Sequence, residues 1–175
     1  MKELFKKKIV RFLITGAAIY VGWLLLYELV IRPCTPLDYV VNYNIAQISQ
    51  TVLGWFGEVT LIDIESDHVV LLLDSNKFRP VLIGDECNGL KLFAIFSLLI
   101  ILLPGNRKSK YWFIPMGIII VHLVNAFRVM MLLIIADRYP TWLDFNHKYT
   151  FTLFVYGVIL LLWIWWAKKY GKSES

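Results

Sequence analysis

The chain has 175 residues, 58% of them hydrophobic, and a formal net charge of +5 at pH 7. Globular proteins are about 45–50% apolar on a similar count, so one soluble domain of this length cannot bury the excess. Most of the 18 basic residues form three short clusters beside long apolar runs, which indicates cytoplasmic loops of a membrane protein and argues against a nucleic-acid partner. The clusters are Lys2, Lys6, Lys7, Lys8 and Arg11; Arg107, Lys108 and Lys110; Lys168, Lys169 and Lys172.

The first apolar run, residues 9–31, is long enough for the roughly 20 residues of a spanning helix. It exceeds the roughly 7–15 residues of a signal-peptide core, so we interpret it as an uncleaved anchor. Pro33 and Pro36 end it. In residues 37–56 apolar residues recur at helical spacing between four amides, which predicts an amphipathic helix at the membrane interface, with a fifth span as the alternative.

Residues 58–83 change to short segments rich in branched side chains, which predict a small β-hairpin or three-stranded unit outside the bilayer. Further spans are predicted at 89–103, 111–136 and 150–167. The predicted fold class is mainly α: a single polytopic membrane bundle of about four transmembrane helices and one interfacial helix, with a small extracytoplasmic β-hairpin-like element. Placing the basic clusters inside puts both termini in the cytoplasm, and the 32–87 segment and the 137–149 loop, which hold most carboxylates, outside.

This topology brings three reactive residue types to the outer part of the bundle. Cys87 precedes the second span, Arg128 lies within the third about 12 Å below its outer end, and His147 precedes the fourth. A thiolate is a strong nucleophile, an imidazole can exchange its proton, and a buried guanidinium can stabilise an oxyanion. The set predicts a thiol-dependent acyl transferase or peptidase that faces the outside.

Several neighbours are candidate supporting or substrate-binding residues. Cys87 is expected at a helix N-terminus with Lys91 four residues on, and both features favour the thiolate. Asn125, one helical turn before Arg128, is expected to orient the guanidinium or to supply a second donor. Asn88 and Glu86, which flank the cysteine, complete the set.

Other interpretations of the same residues stay open. Cys87 is also explained as a small apolar filler or as the partner of Cys34 in a disulfide. Arg128 is also explained by a structural ion pair with Asp85 or Glu86. His122 is a rival to His147, but it lies about 9 Å deeper than Arg128, whereas His68 in the β segment is interpreted as a surface residue.

The motif Glu-Cys-Asn-Gly-Leu at 86–90, the motif Asn-Ala-Phe-Arg-Val at 125–129 and His147 together resemble the exosortase/archaeosortase family. The resemblance covers about residues 81–166 and is strongest in the order Cys, Arg, His along successive helices. It implies a compact member of a family of membrane sorting enzymes, with Cys87 as nucleophile, Arg128 as oxyanion or substrate stabiliser and His147 as acid/base. The β segment before the cysteine departs from the larger members, so their substrate motif is not transferred.

The resemblance implies a cysteine transpeptidase or protease in the bacterial cytoplasmic (inner) membrane. Its partner is an exported protein with a C-terminal hydrophobic helix and a basic tail, surrounded by membrane lipid. No cofactor and no metal are expected, and the sequence gives no oligomeric state. The alternatives are a non-catalytic membrane assembly or scaffold subunit and a thiol-dependent lipid acyltransferase.

Overall fold

The computed structural model of this chain describes residues 2–65, 68–74, 76–84 and 87–171. The candidate site residue Glu86 and the last lysine of the C-terminal basic cluster, Lys172, lie outside the described residues.

The described chain is mainly helical, as predicted. Its α-helices are α1 (Lys2–Leu26), α2 (Arg32–Cys34), α3 (Leu37–Trp55), α4 (Leu90–Leu102), α5 (Arg107–Arg138), α6 (Leu143–Phe145) and α7 (Phe151–Tyr170). Two π-helical turns continue the helical path, Tyr27–Ile31 between α1 and α2 and Asn146–Thr150 between α6 and α7. A single 3₁₀ turn, Pro140–Trp142, follows α5.

Three helical stretches of the described chain are long and apolar enough to cross a membrane: Ile14–Cys34, Arg107–Arg138 and Pro140–Tyr170. The shorter α4 is also apolar, but its 13 residues extend about 20 Å, less than the roughly 30 Å of a hydrocarbon core. The structure therefore supports a multi-pass helical membrane protein with three candidate spans. The fourth span and the sidedness of the bundle stay predictions.

Residues 58–83 contain a three-stranded antiparallel sheet, the larger of the two forms predicted. The strands are β1 (Thr60–Glu65), β2 (His68–Leu73) and β3 (Asn76–Ile83), in the order β1-β2-β3. The branched side chains of the central strand are buried, because β2 is covered by neighbouring strands and by helices α3 and α5. The outer placement of this sheet is not tested by its geometry.

Helix α3 matches the predicted amphipathic helix in extent, and two of its four amides contact other parts of the protein. Gln50 donates to the backbone oxygen of Thr60 at 2.7 Å, and Asn44 lies 2.7 Å from a ring nitrogen of His122. The helix packs against α5, β1 and β2. Asn44 and Gln50 therefore serve contacts within the protein, and the interfacial position of α3 stays a prediction.

Two hydrophobic clusters meet along α5. Towards its beginning, Phe113 and Val121 pack with residues of α4 and α7 such as Phe96 and Ile159. Towards its end, the side chains of α5 pack with α3 and the sheet; they are Ala126, Val129, Met130 and Leu133. The change from one cluster to the other falls between Val121 and Ala126, so α5 joins the helical bundle to the α3–sheet unit.

The closest approach of α4 and α5 gives a prediction about stability. A Cβ added at Gly117 would lie 2.0 Å from Cζ of Phe96, which is fully buried and packed on Phe113. We expect Gly117→Ala to lower the free energy of unfolding by about 1–3 kcal/mol, because overpacking forces the ring or the helices apart. Denaturant unfolding of the purified protein in detergent measures the change. Gly157→Ala on α7 is the matched control, because nothing lies within 4 Å of its added Cβ, and an equal loss for both variants contradicts the prediction.

Candidate active site

Cys87 lies in a turn between the sheet and α4. Its backbone N–H donates to the oxygen of Gly84 at 2.8 Å, and α4 begins three residues later at Leu90. Gly89 caps the helix with φ of +81°, a left-handed conformation that glycine adopts without strain. Cys87 therefore lies before the helix, three residues ahead of Leu90.

The Cys87 sulfur lies 3.5 Å from Nε2 of His147. His147 belongs to the π-helical turn that precedes α7, and the hydroxyl of Thr152 donates to its backbone oxygen at 3.1 Å. The thiol is half-buried. Residues that are 60 positions apart thus form a thiol–imidazole contact within the sulfur hydrogen-bond range, and a proton can pass between them.

Arg128 is buried on α5, with 7% of its surface exposed. Among the described residues its Nε has no hydrogen-bond partner. Burying a cation costs several kcal/mol, and such a residue inside a membrane segment is functional by default. The alternative ion pair with Asp85 or Glu86 involves residues outside the described chain.

Arg128 and His147 line the same open cleft. The cleft has a volume of about 380 Å³, and its wall also includes Lys148 and Tyr156. The remaining lining residues come from the start of α4 and from α7; they are Gly89, Lys91, Leu92, Thr152 and Val155. The imidazole therefore contacts Cys87 and also lines the cleft that contains the buried guanidinium. These groups can act as a nucleophile, a proton acceptor and an anion stabiliser.

The side chains of the two predicted asparagines form hydrogen bonds to the backbone in and next to the cysteine turn, residues 87–89. The side-chain amide of Asn125, which is fully buried, donates to the backbone oxygen of Cys87. The side-chain oxygen of Asn88 accepts the N–H of Leu90 at 3.0 Å. Asn125 thus lies on the face of α5 that meets the turn, and its expected action on Arg128 stays a prediction.

Lys91 lies in the first turn of α4 and contacts the end of the first helix. Its ammonium lies 3.5 Å from the carboxylate of Glu28 and 5.7 Å from the centre of the Tyr27 ring. Glu28 also accepts a bond of 3.0 Å from Arg32. The lysine thus ties α4 to the end of the first helix while it lines the cleft.

The rival residues lie elsewhere. His122 contacts Asn44 and packs on Phe93, while His68 is exposed on β2. No disulfide joins Cys34 and Cys87. Among the described residues, no group of three or more His, Cys, Asp or Glu side chains is close enough to hold a metal ion.

Sequence reasoning missed two residues that reach the cysteine turn. Asp38, at the start of α3, accepts a hydrogen bond from the side-chain amide of Asn88, and the Tyr27 hydroxyl donates to the same carboxylate oxygen at 2.5 Å. Both partners are distant in sequence from Asn88, and no local pattern marks them. An acidic side chain in the first turn of a helix is common, so the position of Asp38 in the sequence does not indicate a role at the site.

The fold and the site define a multi-pass membrane protein with a thiol–imidazole pair beside a buried guanidinium. The chain belongs to the transmembrane exosortase family, whose model matches residues 9–166. This match confirms the family inferred from the motifs around Cys87, Arg128 and His147. No curated protein and no solved structure matches the chain.

The contact between Cys87 and His147 predicts a thiol whose reactivity depends on the imidazole. An unassisted thiol is only a few per cent ionised at pH 7, and a neighbouring imidazole that accepts the proton increases the thiolate fraction. We expect His147→Gln to slow alkylation of Cys87 by iodoacetamide about tenfold at pH 7, measured by mass spectrometry in a Cys34→Ala background. His68→Gln is the control, and the prediction is wrong if His147→Gln reacts as fast as this control.

Proposed function

We propose that this protein is a membrane cysteine transpeptidase or protease that cleaves exported proteins near a C-terminal transmembrane sorting signal. The observation that carries the proposal is the 3.5 Å contact of Cys87 with His147, beside a cleft whose wall contains the buried Arg128. Family membership supports an exosortase-like protein, and the geometry supplies the groups that acyl transfer to a thiol needs.

In the proposed reaction His147 accepts the Cys87 proton, and the sulfur attacks the carbonyl carbon of the scissile peptide bond. Arg128 donates to the oxygen that becomes negative in the tetrahedral intermediate. The C–N bond then breaks, the amine leaves with the proton held by His147, and a thioester remains on Cys87. An amine or water attacks this thioester, loses its proton to His147, and releases the thiolate. Attack by an amine gives transpeptidation, and attack by water gives proteolysis.

The length of α5 supports a site at the membrane surface. The helix has 32 residues and is about 48 Å long, so it extends well beyond a hydrocarbon core of roughly 30 Å. Arg128 lies about 31 Å along it from Arg107, and the residues that follow pack against the sheet cluster. With Arg107 and its basic neighbours in the cytoplasm, the site lies near the outer surface of the inner membrane.

The proposed substrate has a hydrophobic helix and a basic tail after the cleavage site. Its helix lies in the bilayer beside the bundle, where the exposed apolar faces of α1 and α7 offer compatible surfaces. The basic tail remains in the cytoplasm by the same charge rule that orients the enzyme. Because the substrate helix stays in the bilayer and its tail stays in the cytoplasm, the scissile bond is held at the depth of the cleft. The substrate therefore reaches the thiol already oriented, which lowers the entropic cost of the reaction.

Processing of a substrate tests the catalytic roles. We expect Cys87→Ala to abolish cleavage of a co-expressed exported protein with such a C-terminal helix, and Arg128→Lys to slow it at least about a hundredfold. The readout is the ratio of full-length to cleaved substrate on an immunoblot. Cys34→Ala and Arg138→Lys are the matched controls, because Cys34 is exposed and Arg138 forms a surface ion pair with Glu58.

The alternatives give different results in the same strains. Unchanged processing of every candidate substrate by Cys87→Ala contradicts the enzyme and favours a scaffold subunit. On Cys87→Ser, an ester with a peptide supports peptide transfer, whereas an ester with a fatty acyl group supports the lipid acyltransferase.

The sidedness of the site is tested by labelling intact cells. We expect a membrane-impermeant maleimide to modify Cys87 in a Cys34→Ala background from outside the inner membrane, because the basic clusters orient the bundle. In the variant Ser109→Cys, the new thiol lies beside the cluster that begins with Arg107 and is expected to react only after the membrane is permeabilised. The reverse pattern of labelling overturns the proposed orientation and the exported substrate with it.

A further inference from the structure

A chain of hydrogen bonds connects α1, α3 and the cysteine turn. The side-chain amide of Asn88 and the hydroxyl of Tyr27 both donate to Oδ1 of Asp38. Asn88 is fully buried between these partners and α4. The second carboxylate oxygen of Asp38 is also buried and has no hydrogen-bond partner among the described residues. The carboxylate therefore lies inside the protein and is held there by donors from two other elements.

Asp38 determines which way the Asn88 amide faces. A carboxylate only accepts hydrogen bonds, so it selects the NH₂ side of the amide and turns the amide oxygen towards the backbone. That oxygen accepts the N–H of Leu90, the first residue of α4, at 3.0 Å. Without the Asp38 carboxylate, the NH₂ group of Asn88 has no fixed acceptor. The Asn88 oxygen is then no longer held towards the N–H of Leu90 at the start of α4.

The same turn sets the direction of the Cys87 side chain. Asn125 donates to the backbone oxygen of Cys87, and the Asn88 side chain accepts the N–H of Leu90, where the turn ends. Gly89 completes the turn with φ of +81°, a left-handed conformation that glycine adopts without strain. A rotation of the Asn88 peptide thus moves the sulfur away from His147, and a displacement of about 1 Å costs on the order of a hundredfold in rate.

We propose that Asp38 is a positioning residue for the nucleophile: through Asn88 it holds the 87–89 turn so that Cys87 faces His147. The inference rests on the proposed function, because it assigns Asp38 a role only if the thiol–imidazole pair reacts. Asp38 acts on the turn and not on the substrate, since its contacts are with Asn88 and Tyr27. The proposal differs from simple attachment of α3 to α4, which stabilises the fold without affecting the coupling of sulfur and imidazole.

The test measures how strongly the alkylation of Cys87 depends on His147. The probe is iodoacetamide at pH 7, applied to the full-length protein in detergent in a Cys34→Ala background. With Asp38 present, we expect His147→Gln to slow the reaction about tenfold. In an Asp38→Ala background we expect His147→Gln to change the rate less than about twofold, because the sulfur no longer faces the imidazole. Asp63→Ala, which removes an exposed carboxylate on β1, is expected to leave the tenfold dependence unchanged.

Exchange of the two side chains separates positioning from folding. Asn88→Asp places two carboxylates against each other and is expected to lose the dependence on His147, as Asp38→Ala does. The double variant Asp38→Asn with Asn88→Asp restores one donor and one acceptor, and the carboxylate now on the cysteine turn still accepts the N–H of Leu90. We expect the double variant to regain at least about half of the tenfold dependence. This recovery identifies the hydrogen bond even if the single variants are less stable.

Each outcome decides between the proposals. A tenfold dependence on His147 that persists in Asp38→Ala overturns the positioning role and leaves the proposed function intact. Failure of the double variant to recover, with a melting temperature equal to that of the unmodified protein, also overturns it. If the alkylation rate of Cys87 does not depend on His147 even when Asp38 is present, the proposed function is contradicted. The proposed role of Asp38 is then contradicted as well.

Discussion

Helix α5 is the element on which the rest of the structure depends, because both hydrophobic clusters share it. Its first part packs with α4 and α7, and its last part packs with α3 and the sheet. At about 48 Å it is longer than a bilayer core is thick, so one continuous helix serves two environments. Asn125 and Arg128 lie where the apolar partners change, and this junction is where the turn with Cys87 meets the helix.

Polar groups are concentrated at this junction although their burial is unfavourable. Asn88 and Asn125 are fully buried and Arg128 nearly so, whereas the clusters on either side are apolar. A buried amide is acceptable when it is hydrogen-bonded, and both asparagines donate to or accept from the cysteine turn. Nε of Arg128 and Oδ1 of Asn125 are buried without a hydrogen-bond partner among the described residues. Local violations of packing rules mark functional sites, and they coincide here with the contact between Cys87 and His147.

Part of this arrangement could be predicted from the sequence. Apolar runs and branched segments predicted the helices and the sheet, because local periodicity determines which face of an element is buried. The cysteine, arginine and histidine were recognised by type, order and position relative to the apolar runs. The partners of the turn were not predicted, because Asp38 and Asn88 are 50 positions apart and their contact leaves no local pattern. Helix α4 begins at Leu90, after Gly89 completes the turn in its left-handed conformation.

Two residues that form contacts at the site lie in π-helical turns and not in regular α-helix. One turn contains Tyr27, which donates to Asp38, and the other contains His147, which contacts Cys87. A π-helical turn adds a residue to the helix, so the side chains on either side of it face directions that an unbroken α-helix would not give. The turns lie in different helices, yet both serve the cysteine turn, one through Asp38 and Asn88 and one directly. The contacts of Asp38 with Tyr27 and of Cys87 with His147 therefore involve local departures from the α-helix, which hydropathy and spacing do not reveal.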